Sequence, residues 1–231
     1  MARSSPAARG AWILLAVATT LAACGGKAIH LGGACPHAQV SANEVLFIGD
    51  SWVLVTGSQH TRVRDLARDA GAIGPNDDYV IGAAPATTMA TIANQYATQE
   101  AGATKVKVVI MDGGTWDTLL ANGSDASVSA VDATFKQFLA QVAADGTVQH
   151  IIYFLTAEMP GIPGVAALRP LLQQDCAASA VPCHFIDTTT VWSGHPEYTM
   201  NDTGVPVPTD AGSLAIADAI WAVMQQSCIA Q

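Results

Sequence analysis

Val45-Leu46-Phe47-Ile48-Gly49-Asp50-Ser51-Trp52 decides the fold. Four consecutive apolar residues, most of them β-branched or aromatic, leave no polar face; a buried parallel strand, covered on both sides, reads this way. Gly49 permits a tight turn directly after the run, so Asp50 and Ser51 stand just beyond the strand's carboxyl end. Outward from this stretch, runs of the same kind recur at 79–81, 106–111, 151–155 and 184–186. Segments of helical period lie near 60–71, 86–101, 127–144, 164–175 and 210–227, and in the third Val128, Val131, Phe135, Phe138, Leu139 and Val142 share one face. Alternating strand and helix predicts right-handed crossovers, hence an α/β fold: a three-layer α/β/α sandwich around a five-stranded parallel sheet. In such sheets a ligand sits at the carboxyl ends of the strands, beside the point where strand order reverses.

Composition agrees and excludes other classes. Of 231 residues, 50% are hydrophobic and 13% charged, enough for one sizeable core and too apolar for a disordered chain. Nineteen acidic against ten basic residues give a net charge of −9, which repels a phosphate backbone and argues against nucleic acid as a partner. Beyond the N-terminus no apolar window of eighteen residues occurs, which excludes a polytopic membrane protein.

The N-terminus reads as an address. Arg3 and Arg9 form a basic region, Ala11 to Leu21 a short apolar one, and Leu21-Ala22-Ala23-Cys24 follows. This resembles a bacterial lipoprotein signal and implies cleavage after residue 23, lipidation of Cys24, and residence in the cell envelope with a lipid anchor in the membrane. If the source has an outer membrane, Gly25 after the cysteine resembles lipoproteins sent there. An ordinary secretory signal cut nearby is the alternative. Residues 1–23 are then the signal peptide, 24–42 a flexible tether and 43–231 the folded domain. Cys35, Cys176, Cys183 and Cys228 remain, an even number for an oxidising compartment. Short separation pairs Cys176 with Cys183, and proximity of the two ends of the domain pairs Cys35 with Cys228. The C-x6-C spacing lacks nearby paired histidines and is a poor zinc signature, so no metal and no cofactor is expected.

At Gly49-Asp50-Ser51 the sequence resembles the GDSL/SGNH hydrolases, whose nucleophilic serine follows the first strand in a GDS turn. The resemblance runs over about residues 43–227 and implies a flavodoxin-like strand order. In Val80-Ile81-Gly82-Ala83-Ala84 it implies that Gly82 donates its backbone N–H, with that of Ser51, to a developing oxyanion. In Gly113-Gly114-Thr115-Trp116-Asp117, Trp116 occupies the slot of the family's asparagine, a third oxyanion donor. Near the last helix Pro208-Thr209 and Ala211-Gly212 align, but Val207 stands where the general base belongs and Gly204 where its acidic partner belongs. A valine accepts no proton from a serine hydroxyl.

His195, on the long connection 188–208, is the substitute base this sequence offers, with Asp187, Asp202 or Glu197 to orient it. Trp52, Trp116 and Trp192, with Thr115, fall on strand-end loops where aromatic faces can line a substrate site. Asp50 and Asp117 are expected to hold loops, and a pairing of Asp112 with Asp117 is expected to be incidental. His60, His150 and His184 read as structural. Two functions follow. One is a serine ester hydrolase acting on acyl or acetyl esters of a small molecule or glycan, with Ser51, Gly82, His195 and Asp202 as its catalytic set. The other is a catalytically silent envelope protein that uses the same crevice to bind glycan or a protein partner.

Overall fold

The structure is a computed structural model and describes residues 40–54, 58–158, 163–200 and 207–229. The expected signal segment, Cys24, Cys35, most of the expected tether and Asp202 lie outside the described residues. In chain order the elements are β1 (Val45–Ile48), α1 (Ser51–Leu54), α2 (Ser58–Asp69), β2 (Val80–Ile81), α3 (Met89–Glu100), β3 (Val108–Met111), α4 (Thr115–Leu120), α5 (Asp125–Asp145) and β4 (His150–Leu155). They continue with α6 (Val165–Ala178), β5 (Cys183–Asp187), α7 (Thr188–Val191), β6 (Thr199–Met200), β7 (Val207–Pro208) and α8 (Asp210–Gln226).

Five parallel strands form one sheet in the order β2-β1-β3-β4-β5. Leu46 pairs with Val80 on one side of β1 and with Val109 on the other, so β1 is interior and its carboxyl end lies at the reversal of strand order. This is where a doubly wound sheet opens a crevice. All four residues of β1 are buried, as are those of β3, which is why both read as unbroken apolar runs. Helix α2 packs on α8, and α5 packs on α3 and α6. The apolar stripe of α5 is buried as its periodicity predicts, Phe135 meeting Tyr153 of β4 with ring centroids 4.8 Å apart. Burying a side chain of this size contributes on the order of 1.5–3 kcal/mol.

Helix ends follow local chemistry. The Ser124 hydroxyl accepts the Ser127 N–H at 3.3 Å to start α5, and the Thr209 hydroxyl accepts the Gly212 N–H at 3.2 Å to start α8. The long connection 188–208 contains α7 and the antiparallel ladder in which Thr199 faces Pro208 and Met200 faces Val207. Elements this short leave too few residues for a period to show. Among the described residues no helix is long and apolar enough to cross a membrane.

The disulfide Cys176–Cys183 forms as expected and ties the end of α6 to the start of β5. Cys228 is also disulfide-bonded; the expected partner, Cys35, lies outside the described residues.

Candidate active site

Gly49, Asp50 and Ser51 form the turn from β1 into α1. Gly49 has φ +148°, and a Cβ there would overlap the Asp112 carboxylate, so no other residue fits without moving a buried side chain. The turn is held from three directions. From α3, Gln95 accepts the Gly49 N–H at 2.9 Å and donates its own amide to the Gly49 carbonyl at 3.0 Å. From the segment after β2, the Thr87 hydroxyl and the Ala84 N–H donate to that same carbonyl at 3.0 and 3.2 Å. From the end of β3, Asp112 accepts the Asp50 N–H at 2.9 Å. Asp50 in turn accepts the Trp52 N–H at 2.8 Å, satisfying one of the open donors of α1.

Ser51 is the half-buried first residue of α1, so its hydroxyl is reachable while its backbone is fixed. The Ala86 N–H donates to Ser51 Oγ at 2.9 Å. Ala86 has φ +55°, a left-handed conformation that costs a non-glycine residue roughly 1–2 kcal/mol and is sustained only where surrounding contacts enforce it. Among the described residues neither a histidine nor a carboxylate hydrogen-bonds to Ser51 Oγ.

Several sequence expectations are corrected. The Gly82 N–H donates to the Phe47 carbonyl at 2.8 Å as part of the sheet and is not free for an oxyanion; the N–H facing Ser51 belongs to Ala86, four residues on. Trp52 and Trp192 are not rim residues. Both are buried, with rings 5.6 Å apart, and the Trp192 indole N–H donates to the Gly212 carbonyl at 3.2 Å. Thr115 is buried with its hydroxyl bonded to that of Thr156, which leaves it no free group for a substrate. Trp116, in the first turn of α4, is half-buried. Asp187 is engaged elsewhere: it caps α7 through the Thr189 N–H at 2.9 Å and pairs with Arg169.

His195 has one of its expected partners. Its Nδ1 lies 2.8 Å from the Glu197 carboxylate, and its ring stacks on Tyr198 at 4.4 Å and 6°. The histidine's hydrogen bond holds the Glu197 carboxyl below the usual range. The His195 side chain is 47% exposed. The backbone N–H of His195 donates to the Trp192 carbonyl at 3.0 Å, and Trp192 packs on Trp52, so this segment lies against the nucleophile turn. Val207 sits in the ladder with Met200.

The carboxylates take the loop-holding roles expected of them, with one exception. Asp117 accepts the Met89 N–H at 2.9 Å, fixing the start of α3, and burial raises its carboxyl above the usual range. The partner of Asp112 is Asp50, not Asp117: its carboxylate accepts the Asp50 N–H, and the two carboxyls act on each other's ionisation. Burial raises both, that of Asp112 the more strongly because the Asp50 charge adds to it. Gln95, Ala86 and this pair were missed. Gln95 lies 46 residues from the turn it holds, and the left-handed bend at Ala86 has no composition signal because alanine does not announce it. Among the described residues no group of three or more His, Cys, Asp or Glu side chains is placed to hold a metal ion.

No protein-family model matches the sequence, and no curated protein matches it. The fold is that of the GDSL/SGNH hydrolases, and structural neighbours are lipolytic enzymes and esterases of that group. The Clostridium thermocellum family 3 carbohydrate esterase superposes with a TM-score of 0.63 at 16% identity, over 81% of this chain and 98% of its own. The acetyl xylan esterase AlAXEase gives 0.61 at 13%, over 78% and 98%. A Desulfitobacterium hafniense protein of the lipolytic G-D-S-L group gives 0.60 at 13%, over the same shares.

Proposed function

We propose that the protein is an exported, lipid-anchored serine ester hydrolase acting on an acyl or acetyl ester, carried by a small molecule or a glycan. The observation that carries this reading is the Ala86 N–H, held in a left-handed bend and aimed at Ser51 Oγ at 2.9 Å. A backbone donor 2.9 Å from a reachable hydroxyl is near enough to pass to the ester oxygen that turns negative when Oγ attacks. Ser51 attacks the ester carbon, and the N–H groups of Ala86 and Ser51 receive the tetrahedral oxygen. His195, oriented through Nδ1 by Glu197, takes the serine proton and returns it to the leaving alcohol; water then releases the acyl group from Ser51. With Trp116 in place of the asparagine donor, turnover is lower by on the order of 10²–10³ than with a full set. The carbohydrate and acetyl xylan esterases among the structural neighbours support an acetylated glycan as substrate.

A second reading is favoured by one observation: Val207 replaces the base, and His195 is exposed and engaged by Glu197 and Tyr198. On this reading the crevice binds glycan or a protein partner without turnover. A fluorophosphonate probe and a p-nitrophenyl acetate assay separate the two. The hydrolase labels on Ser51 and turns over, and Ser51→Ala abolishes both; absence of labelling and turnover in the unaltered protein leaves the binding reading.

A further inference from the structure

Two carboxyl groups buried against each other beneath the nucleophile turn are the least expected feature of the molecule. Asp50 is 2% exposed and Asp112 3%. They sit at the carboxyl ends of β1 and β3, which pair from Val45 with Val108 to Ile48 with Met111, so the register sets Asp112 beside Gly49 and brings its carboxyl against the next residue, Asp50. One Asp112 oxygen accepts the Asp50 N–H, and one Asp50 oxygen accepts the Trp52 N–H. The two carboxyl groups lie close enough for each to act on the ionisation of the other. Two carboxylates in this relation repel strongly in a dry setting, and one proton between them converts the repulsion into a hydrogen bond.

The other charged or titratable groups around the pair give no relief. Asp117 of α4 is negative and acts against ionisation of Asp50. Tyr153 of β4, wholly buried, directs its hydroxyl to the Gly113 carbonyl at 2.7 Å. The strongest influences on each carboxyl are burial and the other carboxyl, and none is a cation.

We propose that Asp50 and Asp112 share a single proton, carried on Asp112 and donated to Asp50, and that this proton locks the Gly49-Asp50-Ser51 turn, making Asp112 a positioning residue for Ser51. The pair holds one negative charge and one proton, and no cation. Loss of that proton puts two charges in one buried site and frees the Asp50 and Trp52 amides from their acceptors. The positioning role rests on the reading of Ser51 as nucleophile; the shared proton does not.

The test uses the full chain, Asp112→Asn and Asp112→Ala. Asparagine retains an acceptor for the Asp50 N–H and a donor toward the Asp50 carboxylate but does not titrate; alanine has neither. At fixed pH, hydrogen exchange at the Asp50 and Trp52 amides is expected to speed up at least tenfold in Asp112→Ala and to return to within about threefold of the unaltered rate in Asp112→Asn. A raised carboxyl favours the protonated native state, so its stabilisation is complete below the ordinary value, about 3.9, and is lost as pH rises toward the raised one. The unaltered chain is therefore expected to lose denaturation midpoint relative to Asp112→Asn as pH rises from 4 toward 9. Equal pH dependence of these two proteins overturns the shared proton even if Asp112→Ala does not fold. Fluorophosphonate labelling separates the two levels. Labelling that survives with parallel pH profiles defeats this inference and leaves the hydrolase; diverging profiles without labelling in any protein keep the shared proton and defeat the positioning of a nucleophile.

Discussion

At Gly49 one carbonyl accepts three hydrogen bonds, from Ala84, Thr87 and Gln95. Gln95 is the only one of the three that also closes the ring by accepting the Gly49 N–H. Gln95→Ala removes both bonds and leaves a part-buried N–H unpaired, costing about 1–3 kcal/mol by denaturant titration; on the hydrolase reading, Ser51 labelling slows as well. Ala86 offers the converse experiment. Ala86→Gly keeps the N–H and removes the cost of the left-handed bend, so labelling is retained and stability changes by less than about 1 kcal/mol, the relief offset by the freer unfolded chain. Loss of labelling in that variant would overturn the reading that Ala86 serves the site through its N–H alone.

Among the elements, β1 and the first turn of α1 were legible because their signals are local: an apolar run, a glycine, then a polar pair. The same holds for α3, α5, α6 and α8, whose bounds fall within about three residues of the spans their periodicity predicts. By contrast α4, α7 and the β6–β7 ladder are decided by what they lie against. Thr188, at the start of α7, hydrogen-bonds through its hydroxyl to the Leu155 carbonyl of β4, and Thr209 through its N–H to the Tyr198 carbonyl at 2.9 Å. The Cys176–Cys183 bridge spans seven positions between α6 and β5. Replacing both cysteines with serine is expected to lower stability by about 2–3 kcal/mol in the oxidised protein, and reductant should have no further effect through this bridge.

Across the whole molecule, pH acts on the histidines at the far end of the sheet. His150 Nδ1 lies 3.3 Å from His184 Nε2, between adjacent strands. Burial pushes His150 below the ordinary histidine value, and His60 likewise, by burial against which the Asp78 charge acts only partly. A depressed histidine stabilises the fold above its unfolded value, about 6.5, and that stabilisation is lost as pH falls through the depressed value. His150→Gln is therefore expected to flatten the fall in denaturation midpoint between pH 6.5 and 5; an unchanged slope removes His150 from the cause.

The sequence by itself determined the layers, the alternation of strand and helix and the place of Ser51 just beyond the first strand, because burial of apolar runs and the demands of a tight turn are written over a few neighbouring residues. The tertiary structure alone decided which N–H faces Ser51, which carboxyl meets Asp50, and that two tryptophans expected on a rim are packed inside. Those outcomes depend on the angle at which one strand end meets another and on partners tens of residues away, and neither is a property of any local stretch.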